Sequence, residues 1–226
     1  MVGIIAAMAA EINELKGEIA NLKIEKVSGM DFCSGTLYGK EVVACMSGVG
    51  KVFAAMCSQT MILKYHPEII IHIGIAGSLC EDLGVHDLAI AEAVVQHDVD
   101  LSAFGDPKGR VEGLKEVKIP CEKNLVSDLV KCAKDLNIKY KVGTIVSGDQ
   151  FISDSETKKN LAKDFDAIAV EMEGASTGQV CFVNGVDFAV VRAISDGSAD
   201  STDDYGAAKQ SASDVSMSVI KKYLQM

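Results

Sequence analysis

An apolar run that ends in a turn of small residues is the feature that most constrains the fold of this chain. The segment 68–74 reads EIIIHIG and is apolar along almost its whole length, as expected of a strand covered on both faces. It leads into the turn Ile75-Ala76-Gly77-Ser78. Segments with helical periodicity separate it from similar runs, and this alternation predicts an α/β layer fold. The similar runs lie at 2–7, 142–147, 167–170 and 186–194.

The remaining elements follow from periodicity and turn residues. Two short strands are predicted within 30–47, around a turn at 38–40, and polar loops are predicted at 102–113 and 197–206. We find no internal repeat and no linker in the 226 residues, and we therefore expect a single domain over 1–226. Helices are predicted at 9–19, 51–65, 122–136, 155–162, 174–183 and 207–224.

Charge and cysteine usage limit the partners and the compartment. The net charge of −10 disfavours nucleic acid, because binding to phosphate backbones depends on clustered Lys and Arg. Seven cysteines are scattered without a C-x-x-C pair, which favours reduced thiols in a cytoplasmic protein. The opening MVGIIAAMAAEIN has no basic segment before its short apolar run, so neither a signal peptide nor a membrane span is predicted.

The segment SGVGKV at 47–52 resembles part of a nucleotide phosphate loop. That loop needs a glycine five residues before the final Gly-Lys pair and a Ser or Thr after the lysine. Here the two positions are Cys45 and Val52. The motif is incomplete, and a triphosphate site is not expected.

Carboxylates follow the apolar runs at three places. Glu11 follows the first run, Glu173 follows AIAV closely and Asp196 follows AVVRAI. Ligands of open α/β sheets bind beyond the carboxyl ends of the strands, where a buried carboxylate is costly unless it is paired or used. Each acid taken singly is also compatible with a helix cap. Three such acids together favour a shared crevice.

Six segments, in this order, carry a resemblance to a known family. They are GIIAAMAAE, SGVGKVFAA, GIAGSL, SGDQFI, AVEMEGAS and VVRAISD. The chain resembles the 5′-methylthioadenosine/S-adenosylhomocysteine nucleosidases of the purine nucleoside phosphorylase-like superfamily. The resemblance implies a three-layer α/β sandwich with a mixed, partly closed central sheet flanked by helices. It also implies cleavage of the N-glycosidic bond of an adenine nucleoside, without a cofactor or metal.

The resemblance assigns roles to the carboxylates. Asp196 matches the general acid that protonates N7 of adenine, with Ser195 orienting it. An ordinary aspartate is ionised near neutral pH, so this role requires burial that favours the protonated form, or a proton delivered once the base is bound. Glu11 matches the residue that activates the attacking water, as in one-step inverting glycoside cleavage. Glu173 matches the acid that binds the ribose hydroxyls, with Met172 packed against the sugar.

The resemblance also assigns the base and 5′-substituent pockets. Phe151 and Ile152 match the adenine slot, although such a pair after a strand is commonly core packing. Ala76 and Gly77 belong to the substrate-binding set through the GIAGS turn. The pocket for the 5′-alkylthio group matches Met8, Val49 and Phe104. Since the family contributes Phe104 from a neighbouring subunit, a homodimer is implied.

Several alternatives remain open at this point. A phosphorylase of the same superfamily would need an anion site, but the two arginines are Arg110 and Arg192, and we expect Arg192 to pair with an acid such as Glu171. A phosphate site built from backbone N–H groups stays possible. The chain departs from the family at Ile75 and Glu112, and its 197–205 segment is short. Hydrolysis of 5′-deoxyadenosine or of futalosine therefore stays open as an alternative.

Two further alternatives concern other classes. A non-catalytic nucleoside-binding protein could keep the fold, although it would have no use for a proton donor opposite a water-holding carboxylate. The run HDVD at 97–100 has metal-capable side chains, but its ligand spacing is incomplete, and no metal site is predicted.

Overall fold

The apolar runs of the sequence form strands of one mixed β-sheet. The computed structural model describes residues 1–7, 12–196 and 205–226, and side chains in the last range from residue 211 onward. Ten strands lie in these residues, and all of them join the same sheet. They are β1 (Val2–Ala6), β2 (Ala20–Val27), β3 (Met30–Leu37), β4 (Lys40–Met46), β5 (Ile69–Ser78), β6 (Leu88–Gln96), β7 (Ile119–Pro120), β8 (Tyr140–Ser147), β9 (Ala167–Glu171) and β10 (Asp187–Asp196).

The sheet closes partly on itself around β5. This strand pairs in parallel with β1 and with β10, and its last two residues pair antiparallel with β9. Because β10 also pairs with β6, and β8 links β6 to β9, five strands form a closed ring. The strands β1, β4, β3 and β2 extend the sheet away from this ring. The predicted mixed, partly closed sheet is confirmed.

Helices cover both faces of the sheet. A short 3-10 helix, Ser102–Phe104, lies in the predicted loop after β6. Of the helices that the structure describes, none combines the length and the apolarity needed to cross a bilayer. The helices are α1 (Asn13–Glu18), α2 (Lys51–Tyr65), α3 (Lys123–Asp135), α4 (Ser155–Phe165), α5 (Gly174–Asn184) and α6 (Tyr205–Leu224).

Side-chain alternation along the strands divides the core between the two faces. Ile4 of β1 and Ile71 of β5 pack in one core with α1, α3 and α6. Their neighbours Ile5 and Ile70 pack in a second core with α2 and α5. Successive side chains of a strand point to opposite faces, so a strand covered on both faces needs a continuous apolar run. This arrangement confirms the predicted three layers.

Periodicity predicts the helices better than the strands. The helices at 51–65, 122–136, 155–162, 174–183 and 207–224 are confirmed, with ends that differ by at most three residues. The helix predicted at 9–19 is described only over Asn13–Glu18. We do not predict β2 from the sequence, although Ala20, Leu22 and Ile24 alternate with polar residues along it; its residues are nearly all exposed. The sequence also does not predict β6, which is rich in alanine, a residue that favours helices.

Candidate active site

A cleft opens where β5, β9 and β10 end. It holds about 540 Å³ of empty space, counting the open mouth. The lining comes mainly from three segments that the sequence places at strand ends, GIAGS, AVEME and RAISD. The lining residues are Ala7, Val49, Ile73, Gly74, Ile75, Ala76, Gly77, Phe151, Val170, Glu171, Met172, Glu173, Arg192, Ser195 and Asp196.

Asp196, the last residue of β10, is a buried acid of this cleft. Its Oδ2 lies 2.8 Å from Lys158 Nζ, and its Oδ1 accepts a hydrogen bond from Ser195 Oγ at 3.1 Å. Gly77 of β5 is the register partner of Asp196. A Cβ on Gly77 would lie 3.0 Å from Oδ2, so a side chain at residue 77 would push the carboxyl away from β5.

Glu173 connects the AVEMEG segment to the SGVGK turn. It is buried, and its Oε1 accepts a hydrogen bond from Gly50 N at 2.8 Å. The next N–H group, Lys51 N, donates to Asp149 Oδ1 at 2.8 Å. Gly50 has a φ of 100°, and a Cβ there would lie 3.0 Å from Asp149 Oδ1, so the turn requires glycine. The N–H groups that begin α2 therefore bind two carboxylates of the protein itself, and this explains the glycines without a triphosphate.

The predicted pairing of Arg192 with Glu171 is confirmed. Arg192 Nη2 and Nε lie 2.5 and 3.1 Å from Glu171 Oε2, and both side chains are buried. Arg192 Nη1 also donates to the carbonyl oxygen of His72 at 3.0 Å. Glu171 further accepts hydrogen bonds from Ser147 Oγ and from Gly174 N, at the start of α5. The side chain of Glu171 therefore caps α5, as expected of an acid in this segment, and Glu173 faces the cleft.

The residues predicted to bind adenine lie near Asp196, along a narrow extension of the cleft. Phe151 is 54% exposed and lines the cleft, so the core-packing interpretation does not hold for it. Ile152 is buried and packs in the small core under α4, while it also lines a narrow extension of the cleft. Both interpretations therefore apply to Ile152. Met172, partly buried, and Val49, half exposed, complete this wall.

The structure does not bring every predicted site residue to the cleft. Phe104 lies in the 3-10 helix, is 86% exposed and is not among the lining residues. Met8 and Glu11 lie outside the described residues. The predicted loop at 197–206 also falls largely outside them, and α6 begins at Tyr205.

The HDVD run has structural partners. Asp98 Oδ1 lies 2.6 Å from Lys51 Nζ, and Asp98 Oδ2 accepts from Asp149 N at 3.0 Å. His97 packs against Gly148, where a Cβ would lie 2.4 Å from its Nε2. Among the described side chains, no group of three His, Cys, Asp or Glu residues is placed to hold a metal ion.

Sequence reasoning misses Lys158 as a site residue. This lysine is 2% exposed, and it lies on α4 in line with the buried Leu161 and Phe165, at spacings of three and seven residues. Such spacing marks the core-facing side of a helix, where an unpaired ammonium would be costly. A lysine on that side, just after SGDQFI, is the sequence signal that could have identified it.

Comparison with known proteins agrees with the fold. Residues 1–225 match the model of the phosphorylase superfamily. A 5′-methylthioadenosine/S-adenosylhomocysteine nucleosidase of Staphylococcus aureus (strain MRSA252) is 41% identical over 197 residues, which cover 87% of this chain and 86% of that protein. The α/β fold and its strand-end cleft thus define a member of the phosphorylase superfamily.

Solved structures give the same result. The nucleosidase of this name from Neisseria meningitidis, in complex with methylthio-immucillin-A, has a TM-score of 0.95 and 31% identity, and covers 99% of this chain and 98% of its own. The futalosine hydrolase of Helicobacter pylori strain 26695 has a TM-score of 0.92 and 35% identity, with 98% and 96% covered. Within the superfamily, the chain belongs to the 5′-methylthioadenosine/S-adenosylhomocysteine nucleosidases.

Proposed function

We propose that the protein hydrolyses the N-glycosidic bond of 5′-methylthioadenosine and S-adenosylhomocysteine, with 5′-deoxyadenosine as a further substrate, and releases adenine. The observation that carries this proposal is the placement of Asp196 and Glu173 in one cleft with Phe151. These are the residue types that the reaction needs: an acid for the base, an acceptor for the sugar hydroxyls and a ring for the purine. The activity of the Staphylococcus aureus relative supports the same choice of substrate.

Asp196 is proposed to protonate the leaving base. Adenine is a poor leaving group as an anion, and a positioned general acid typically accelerates such a step by about 10²- to 10⁴-fold. Its hydrogen bond from Ser195 fixes one carboxyl oxygen. Glu173 is proposed to accept hydrogen bonds from the ribose hydroxyls, and Glu11 to hold the attacking water on the opposite side of the sugar.

The nucleophile is proposed to be water, because neither arginine is available for phosphate. Arg192 is engaged by Glu171 and by the His72 carbonyl, and Arg110 is paired with Asp106 at 2.8 Å. Ile73 and Ile75 make the adjacent wall of the cleft apolar. A phosphate dianion there would lose water without gaining a matched guanidinium partner. The high similarity to a futalosine hydrolase keeps futalosine as a second substrate to test.

We also propose a homodimer in which Phe104 completes the neighbouring site. Phe104 is 86% exposed, and α2 and the adjoining α5 carry further exposed apolar side chains. On α2 they follow helical spacing, which forms an apolar stripe typical of an interface. Sedimentation of the purified protein at the mass of a monomer would refute this arrangement. The exposed side chains are Val52, Phe53, Met56, Leu63, Phe182 and Val183.

A cytoplasmic location is proposed from the cysteines. All seven are free thiols, and six of them are buried. Burial raises the pKa of Cys121 and Cys181 to about 12, so these thiols are inert packing groups at neutral pH. Such usage is typical of proteins in reducing compartments.

The test is adenine release, followed by chromatography. Purified protein receives methylthioadenosine, S-adenosylhomocysteine, 5′-deoxyadenosine or futalosine, with and without phosphate. We expect adenine and free methylthioribose to form without phosphate. Asp196→Asn should lower kcat by about 10²- to 10⁴-fold. Asp164→Asn, at an exposed position, is the control and should keep the wild-type kcat. Phosphate dependence would establish a phosphorylase. Binding of these nucleosides without any turnover would establish a non-catalytic binding protein.

A further inference from the structure

The inference concerns Lys158, a buried lysine that pairs with Asp196 of the cleft. Lysine is almost never fully buried unless it is paired. Lys158 is 2% exposed and lies in the first turns of α4, where Asp154 caps the helix by accepting from Thr157 N at 2.7 Å. The cap fixes the start of α4, and the helix directs Lys158 Nζ to within 2.8 Å of Asp196 Oδ2.

This ion pair bears directly on the proton of Asp196. With an ammonium at 2.8 Å, the carboxyl is the anion of the pair and the transferable proton is on Nζ. A carboxylate in that state cannot donate a proton to a base. A neutral purine bound in the cleft would cover the little of Asp196 that is still exposed, and a fully buried ion pair is costly relative to two neutral partners.

We propose that Lys158 stores the proton that Asp196 passes to the leaving base. This inference rests on the proposed function. Substrate binding moves one proton from Nζ to Asp196 Oδ2, and Asp196 then gives its proton to N7 while the N-glycosidic bond breaks and its electron pair goes to the base. Lys158 acts through Asp196 and does not need to touch the substrate.

The protons balance over one turnover. The attacking water forms the new C–O bond and gives one proton to Glu11, its proposed acceptor, while adenine keeps the proton from the pair. After product release Lys158 takes a proton from solvent and Glu11 returns one to solvent. The sum is one water consumed for each glycosidic bond cleaved.

Other charged groups surround the pair and bear on its pH dependence. Asp154 caps α4, Glu171 and Glu173 line the cleft, and Arg192 lies on the same strand as Asp196. Of these groups, Arg192 and Glu171 pair with each other.

The test compares the pH dependence of kcat in three proteins: wild type, Lys158→Met and Lys158→Arg. Wild type should keep its kcat for adenine release between pH 7 and pH 9. In Lys158→Met the proton must come from a lone carboxyl, so kcat should fall about tenfold per pH unit over this range. Guanidinium holds its proton throughout, so Lys158→Arg should be at least about tenfold slower than wild type even at pH 7. KM should stay within about threefold.

Two results would overturn the inference. One is a Lys158→Met profile parallel to that of wild type, and the other is full recovery of kcat in Lys158→Arg, which would mean that only the positive charge is needed. The neighbouring exposed Lys159→Met is the matched control and should follow wild type. Equal thermal midpoints establish that the variants are folded.

A second measurement does not need turnover. Titration calorimetry of adenine binding at pH 8, in two buffers of different ionisation enthalpy, counts the protons taken up. Wild type should take up none, because the proton moves within the pair, whereas Lys158→Met should take up about one. Equal uptake by both proteins would overturn the inference. If wild type binds adenine but releases none from any of the nucleosides, the proposed hydrolysis is refuted. The proton count then still tests whether Lys158 supplies the proton of Asp196.

Discussion

The Gly77→Ala substitution gives a sharp test of how the sheet positions Asp196. The added Cβ would lie 3.0 Å from Asp196 Oδ2 and 3.3 Å from Oδ1. An ordinary van der Waals contact begins at 3.4 Å, so the carboxyl must retreat by about 0.4 Å. That retreat strains its contacts to Lys158 at 2.8 Å and to Ser195 at 3.1 Å.

The size of the effect follows from this displacement. A misplacement of 1 Å at a reacting group can cost about 10²-fold in rate, so 0.4 Å corresponds to about 5- to 10-fold in kcat. The backbone of Gly77 is in an ordinary conformation, and the loss of stability should be below about 1 kcal/mol. Steady-state adenine release and urea unfolding measure the two quantities.

A matched control is available in the same protein. Gly84 also tolerates a side chain without backbone strain, and its added Cβ would lie 3.8 Å from the nearest atom, Asp87 Oδ2. Gly84→Ala should therefore keep wild-type kcat. A Gly77→Ala variant with wild-type kcat would refute the claim that close approach of β5 sets the position of the acid.

Three further predictions concern stability. Arg192→Met should lower the free energy of unfolding by about 3 to 5 kcal/mol, because it leaves the buried Glu171 charge uncompensated. Adding Glu171→Gln should restore part of this loss, as measured by urea titration. No restoration would contradict the pairing argument. Burial and, less strongly, the Arg192 guanidinium hold the pKa of His72 well below its ordinary 6.5, so the unfolded chain binds more protons at acid pH. Stability should therefore fall as pH drops below about 6.5, by up to about 1.4 kcal/mol per pH unit, and His72→Gln should show a shallower slope. Gly178→Ala should cost about 1 to 3 kcal/mol in thermal unfolding, because its Cβ would lie 2.7 Å from the ring of Phe188.

The network around α2 shows how the cleft is held together. The SGVGK turn donates one backbone N–H to Glu173 and the next to Asp149, which precedes Phe151 in the chain by two residues. Lys51 also binds Asp98, and Asp98 accepts from Asp149 N. One helix start therefore links the proposed ribose acid to the loop that carries the proposed adenine-stacking ring. The positive end of the helix dipole favours both carboxylates there.

Local sequence determines much of this molecule. Continuous apolar runs identify β1, β5 and β10, because a strand covered on both faces needs apolar residues on both sides. Helical periodicity locates α2 to α6 closely. Acids after those runs mark Glu173 and Asp196 as candidates, because the carboxyl ends of neighbouring strands share one edge of the sheet.

Tertiary structure decides what local patterns leave open. Ring closure through β10 and β6 depends on pairing between strands about a hundred residues apart, which no local pattern encodes. The position of Arg192 decides the different roles of the two acids in AVEME. Its guanidinium binds Glu171, which caps α5, whereas Glu173 faces the cleft and accepts a hydrogen bond from the turn before α2. The contact of Lys158 with Asp196 joins residues 38 apart in sequence. It exists only because α4 packs against β8 and β9, so the pairing of the proposed acid is a property of the folded protein.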